Sequence, residues 1–204
     1  SSGSVQAGLG FHFSIDGGDS WSYIPNPNDK ADDSSFVYGN TTYQKLPVTA
    51  QEQSPPFDMA LHNTTILSAN WALGLVRSTD FGNSWQRVIL PPQQADSLIP
   101  SKEYNFNSPD GNRYDPRYDQ NLLGFAVMID NKNRVWAGTA GGLNISENAL
   151  TAPIDSISWQ HIQFDGTENG LLGNWIITIK QQPSTGDIWI TNWSAGISDD
   201  EQFG

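Results

Sequence analysis

The chain contains no cysteine. That single absence removes disulfides, thiolate catalysis, iron–sulfur clusters and cysteine-type zinc sites, and leaves the compartment open. Basic residues are also scarce. Ten Lys and Arg stand against 22 Asp and Glu, a formal net charge of −12. Nucleic-acid binding is excluded on this ground, because phosphate contacts need clustered cations. No basic amphipathic stretch suits an anionic membrane surface, and no apolar run approaches the ~18 residues that would span a bilayer. Histidine occurs three times, at 12, 62 and 161, without H-x-x-x-H or H-E-x-x-H spacing, so zinc is not expected. There is no G-x-S-x-G elbow, P-loop or complete G-x-G-x-x-G. Glycine and proline, at 19 and 12 of 204 residues, are too few for a disordered or collagen-like chain. The first residues carry no basic segment followed by an apolar one, and Ser198–Gly204 is not an obvious stop. Both ends read as cuts within a longer chain.

What is present is repetition. Gly10-Phe11-His12-Phe13-Ser14-Ile15-Asp16 returns as Gly74-Leu75-Val76-Arg77-Ser78-Thr79-Asp80. A worn copy follows at Gly142-Leu143-Asn144-Ile145-Ser146, and Gly196-Ile197-Ser198 opens a fourth. Asn70-Trp71 and Asn192-Trp193 stand at matching places ahead of the second and fourth copies. Before each later glycine run paired segments of β-type alternation split by turn formers. Examples are Phe57–Leu61 with Thr65–Ala69, Phe125–Ile129 with Arg134–Ala137, and Trp175–Ile179 with Asp187–Ile190. No segment shows a helical period, so the class is all-β.

Ser14-Ile15-Asp16-Gly17-Gly18-Asp19-Ser20-Trp21 and Ser78-Thr79-Asp80-Phe81-Gly82-Asn83-Ser84-Trp85 match S-x-D-x-G-x-S/T-W. They resemble the Asp box of BNR-type β-propeller repeats. Ser158-Trp159 parallels Ser84-Trp85 and reads as a third box split by an insertion. Val135-Trp136-Ala137-Gly138-Thr139-Ala140-Gly141-Gly142-Leu143 is similar to the W-x-G-T-x-x-G-L unit of two-component-regulator-type propellers. The mixture resembles exported propellers of Bacteroidetes-like bacteria, some of the type IX secretion class. The resemblance implies four full or partial four-stranded blades of a larger ring: 1–45 (partial), 46–92, 121–165 and 170–204 (partial), with an insertion at 91–120. It also implies an extracytoplasmic protein. In a box the carboxylate accepts backbone N–H groups and the tryptophan is buried under the turn. Ser14, Asp16, Gly18, Trp21, Ser78, Asp80, Gly82, Trp85 and Trp159 are therefore fold residues.

Sialidases share such boxes. Their chemistry needs an arginine cluster on inner strands and a Tyr–Glu pair, whereas Arg77 and Arg87 flank a box and every glutamate falls in a loop. No catalytic residue is assigned and no organic cofactor is expected. Within the insertion, Asp110, Asn112 and Asp115 have the spacing of a partial calcium loop. Arg113/Tyr114 and Arg117/Tyr118 recur four apart and could face a partner or glycan, as could Trp71 and Trp193. The expected function is a non-catalytic exported propeller that binds or scaffolds, with a protein, a glycan or further blades of its own chain as partner. The alternatives are a polysaccharide-active hydrolase with its residues in other blades, and the ligand-sensing ectodomain of a hybrid two-component sensor.

Overall fold

The computed structural model describes residues 6–193. Among them there are sixteen strands, three single 3-10 turns and no α-helix, so the chain is all-β. Strands β1 (Gly10–Phe13) and β2 (Ser22–Pro25) form a two-stranded sheet. Strands β3 (Ser35–Tyr38) and β4 (Thr41–Lys45) form a hairpin, and β5 (Pro56–His62), β6 (Thr65–Asn70), β7 (Gly74–Ser78) and β8 (Gln86–Val88) form a four-stranded antiparallel meander. Two short strands follow, β9 (Ser97–Leu98) and β10 (Arg113–Tyr114). A second meander comprises β11 (Gly124–Ile129), β12 (Val135–Thr139), β13 (Leu143–Ser146) and β14 (Trp159–Ile162); β15 (Trp175–Gln181) and β16 (Ile188–Trp193) pair alone.

Within 1–45, β3–β4 leaves β1–β2 and joins β10 in its own three-stranded sheet. The insertion 91–120 carries two short strands. Its β9 extends the second meander by pairing with β14, and its β10 pairs in parallel with β4. Strands of two residues carry no alternation to read.

The sheets stack through their first strands: β11 lies against β5 on one side and β15 on the other. Each of these strands carries a bulge near its start, between Pro56 and Asp58, Gly124 and Ala126, and Ile176 and Thr178. The largest core joins the β3–β4–β10 sheet to both meanders, around Tyr38, Tyr43, Phe106, Tyr114 and Leu98. A second core, with Met128, Trp136, Leu143, Ile176 and Ile179, welds the β15–β16 pair onto the second meander.

The W-x-G-T segment shows why its residues are what they are. Trp136 donates its indole N–H to the Asp130 carboxylate at 2.9 Å and lies beneath the Arg134 guanidinium. A Cβ on Gly138 would stand 2.7 Å from both the side chain and the carbonyl of Ile176, so only glycine lets β15 approach. The Thr139 hydroxyl donates to Asn121, which exchanges amide hydrogen bonds with Asn144 at 2.8 and 3.0 Å. These groups are buried and fully paired, as a polar interior requires.

Candidate functional site at the bulged sheet edge

The two serine-led turns around Asp16 and Asp80 are built alike. Asp80 Oδ1 accepts from the Ser84 backbone N–H at 2.9 Å and from the Ser78 hydroxyl at 2.7 Å; Oδ2 accepts from the Ser84 hydroxyl at 2.6 Å. Asp16 repeats this with Ser20 and Ser14 at 3.0, 2.7 and 2.6 Å. The Gly18 and Gly82 amides each donate to the leading serine at 2.8 Å. Hydrogen bonds from Ser84, then Ser78, hold the Asp80 pKa down to about 2, and those from Ser20 and Ser14 lower that of Asp16 further. A similar arrangement occurs after β13. Ser146 bonds Asn148, whose Oδ1 accepts from the Ser158 backbone at 2.9 Å. Its partner lies ten residues on rather than four, and Trp159 is buried.

Trp21 corrects the expectation of burial, being 64% exposed, while Trp85 is half-buried. The difference lies in the neighbouring sheet. Trp85 stacks on Phe11 of β1 at 5.3 Å; among the described residues no sheet lies in the corresponding place beside Trp21.

The opposite end of the sheets is built differently. The bulges turn Phe57 and Phe125 toward one another, with ring centroids 5.4 Å apart. Trp71, just after β6, lies 6.3 Å from Phe57 and 5.2 Å from Phe125. Trp175 lies 5.5 Å beyond Phe125. Four aromatic rings thus cross three sheets at one edge. The Trp71 backbone is fixed, because its N–H donates to Pro55 and its carbonyl accepts from Gly74 and Gly124 at 3.2 and 3.1 Å. Trp193 sits opposite Trp175 in register and is 59% exposed.

Beside this band opens a cleft of about 610 Å³, walled by Val48, Leu123, Trp71, Glu52, Gln53 and Arg117. Two residues singled out from the sequence, Trp71 and Arg117, thereby meet in one site. Glu52 and Gln53, from the 3-10 turn before β5, were missed; a lone loop glutamate carries no sequence signal. Arg117 is aimed by Asp115, whose Oδ1 accepts its Nε at 2.9 Å and whose Oδ2 accepts its Nη2 at 2.7 Å. Burial pushes the Asp115 pKa up, but the bonds from Arg117 and Arg113 outweigh it and leave it below the ordinary carboxylate value. Arg117 stays half-exposed with Tyr118 under its guanidinium at 5.3 Å.

The second Arg/Tyr pair does not face a partner in the same way. Tyr114 is fully buried, which corrects its placement among ligand-facing residues. Its ring lies under Arg87 at 4.9 Å, and its hydroxyl accepts from Leu90 N. Burial raises its pKa to about 12. Arg113 serves the carboxylates, reaching Asp110 at 2.5 Å and Asp115 at 2.8 Å.

The three candidate calcium ligands are thereby engaged elsewhere. Asp110 and Asp115 face the two guanidiniums, and Asn112 accepts from Phe106 N and donates to the Tyr104 carbonyl at 2.7 and 2.9 Å. Among the described residues no group of three or more His, Asp or Glu is arranged to hold a metal. Chelation with EDTA is expected to leave the melting temperature unchanged within a degree. A drop of several degrees that calcium restores would assign the ion to Asp110, Asn112 and Asp115.

Asp119 is the outlying carboxylate. Burial raises its pKa to about 6, partly opposed by bonds from Gln93 N and Asn121 N. The unfolded value is about 3.9. A folded pKa raised above that means the ionised form costs stability, a cost relieved as pH falls from 7 through 6 toward 4. Asp119 therefore favours pH 5 over pH 7.5, while buried His161, whose pKa burial lowers, favours the reverse; the gain in melting temperature from pH 7.5 to pH 5 should be smaller in Asp119→Asn than in the parent protein, whatever its sign. An equal pH response in the variant would contradict the assignment.

No family model matches this chain, and no curated protein does. Among solved structures, it is similar to the extracellular domain of a B. thetaiotaomicron protein described as a one-component system, at 20% identity and TM-score 0.32. A second structure, described as the extracellular domain of a hybrid two-component system from the same organism, matches at 18% and 0.30. Each alignment covers 76% of this chain, which spans only 24% of the other. No helix among the described residues is long and apolar enough to cross a membrane.

Proposed function

We propose that the chain is an arc of an extracytoplasmic β-propeller that binds a ligand at its bulged edge and catalyses nothing. Stacked meanders of the same antiparallel order, each with a serine-led turn between its third and fourth strands, support the arc. The observation that carries the binding role is the convergence of Trp71, Arg117, Glu52 and Gln53 on one cleft beside the aromatic band. Flat rings that stack on apolar faces, next to planar donors and acceptors, suit an oligosaccharide better than a protein side-chain surface. Net charge of −12 disfavours a polyanionic ligand. The fixed backbone of Trp71 limits what must be ordered on binding.

Isothermal titration with a panel of neutral and acidic oligosaccharides tests this. At least one should bind, and Trp71→Ala should weaken it by tenfold or more while Trp21→Ala leaves it unchanged. Silence across the panel, with a peptide partner lost on Trp71→Ala, would make the ligand a protein. A second reading, the sensor ectodomain, draws on the Val135–Leu143 segment and its resemblance to two-component-regulator propellers. It keeps the same site and adds signalling through parts outside residues 6–193.

A further inference from the structure

We propose that the cleft beside Trp71 takes an amino sugar, its ammonium group held between the Glu52 carboxylate and the Trp71 ring. The inference deepens the ligand reading above and rests on it. Backbone hydrogen bonds put the two side chains on one wall. The Trp71 N–H donates to the Pro55 carbonyl at 3.1 Å and the Ala72 N–H to that of Gln53 at 3.0 Å, so the turn Gln51–Gln53 runs beside Trp71 and Ala72. Glu52, Gln53, Trp71 and Ala72 all line the cleft. The turn buries none of its own residues, which leaves the Glu52 carboxylate open to that space.

The surrounding charges single out Glu52. Arg117 directs Nε and Nη2 at Asp115, and the same Nη2 lies 3.8 Å from Asp110. Arg113 bridges those two carboxylates as well, so two guanidiniums face two carboxylates and the group is neutral. On another side of the lining, Arg87 donates to the Leu46 and Ala72 carbonyls and pairs with Asp29. Lys45 meets Asp29 and Asp33, and this set is neutral too. Among the described residues no Lys, Arg or His pairs with Glu52. Of the two charged residues that line the cleft, Glu52 is the one without a counter-ion.

That arrangement selects the charge of the ligand. A ligand carboxylate would be repelled by Glu52, and the Nε–Nη2 edge of Arg117 that could grip it side by side is already on Asp115. A neutral ligand would leave Glu52 uncompensated. An ammonium supplies the missing counter-ion, and its N–H groups bond a carboxylate about twice as strongly as neutral donors do. An indole face attracts a cation within about 6 Å of the ring centroid. Phe57 and Phe125 meet Trp71 at 73° and 57°, so neither is stacked flat on it. Val48 and Leu123 give apolar surface for ring carbons, and the Gln53 amide offers a donor and an acceptor for hydroxyls.

Isothermal titration of the full chain compares the glucosamine trisaccharide with its fully N-acetylated form, which carries amides in place of ammonium groups. At pH 6 and low ionic strength the ammonium form should bind at least tenfold tighter, and about 0.5 M salt should remove most of that gain. Glu52→Gln should reduce the preference to threefold or less and leave binding of the acetylated form unchanged, whereas Trp71→Ala should weaken both. Glu52 is exposed, so Glu52→Gln should not move the melting temperature. Equal affinity for the two sugars, tighter binding of the acetylated one, or a preference that survives Glu52→Gln overturns the inference and leaves the oligosaccharide reading standing. Trilysine binding as tightly as the amino sugar would put a peptide amine in the cleft and overturn the sugar assignment. Failure of both trisaccharides to bind also overturns the inference, and the neutral and acidic panel then decides the wider reading alone.

Discussion

Arg87→Ala should be the most damaging surface-to-core truncation in the chain, lowering unfolding free energy by about 3–5 kcal/mol. Arg87 is 8% exposed, yet lies on β8 next to a box turn, where sequence alone suggests a peripheral role. Its Nη1 reaches Asp29 at 3.0 Å, its Nε donates to the Leu73 carbonyl at 3.1 Å and its Nη2 to the Ala72 carbonyl at 2.8 Å. The guanidinium lies over buried Tyr114. Asp29 in turn meets Lys45 and accepts from Val48 N at 2.9 Å. Truncation leaves a buried carboxylate short of a partner and two carbonyls without donors, which costs more than the pair itself contributes. Lysine cannot restore the fork, so Arg87→Lys should recover less than half of the loss. Urea unfolding decides: a loss under 1 kcal/mol would mean that the network is dispensable. Because Ala72 and Val48 line the cleft, the same variant should also weaken ligand binding.

Gly124→Ala should cost about 3 kcal/mol or more, the upper range for forced overpacking. A Cβ there would lie 2.1 Å from the Gly74 carbonyl and 2.9 Å from that of Asn70. Both obstacles are backbone, which cannot swing aside as a side chain does. Relief requires β11 to retreat from the β6–β7 turn, breaking the bond from Gly124 N to the Trp71 carbonyl. Thermal melting and titration should fall together, because the same contact fixes the tryptophan. A fully stable Gly124→Ala protein would show that the sheets are not held as close as described.

Much of this was legible in residues. Alternation in Phe57–Leu61 and Phe125–Ile129 marked the first strands, and two eight-residue boxes marked the turns. Where the reading stopped, the cause was local. The likeness of the Ser146–Ser158 turn to the other two hides because six extra residues separate Asn148 from Ser158, and asparagine stands where they have aspartate. Trp21 was expected to be buried because a box tryptophan packs on the adjoining sheet, and that cover is a property of the neighbour rather than of the motif. Tyr114 and Tyr118 look alike in sequence. One is sealed by Phe36, Phe106 and Arg87 while the other lies open, a distinction made by the pairing of β10 with β4. The cleft was half visible. Trp71 and Arg117 each stand out in sequence, but nothing local brings them to the same wall as Glu52 and Gln53.

The chain carries eight tryptophans, so indole N–H resonances report the bulged edge and the serine-led turns at once. The most direct test of the account is to follow these signals in 1H–15N spectra during titration with the tightest oligosaccharide of the panel. Trp71 and Trp175 should shift in step with saturation, while Trp21, Trp85 and Trp159 stay fixed. Shifts confined to Trp21 and Trp85, with Trp71 silent at saturation, would place recognition at the box turns and contradict the assignment.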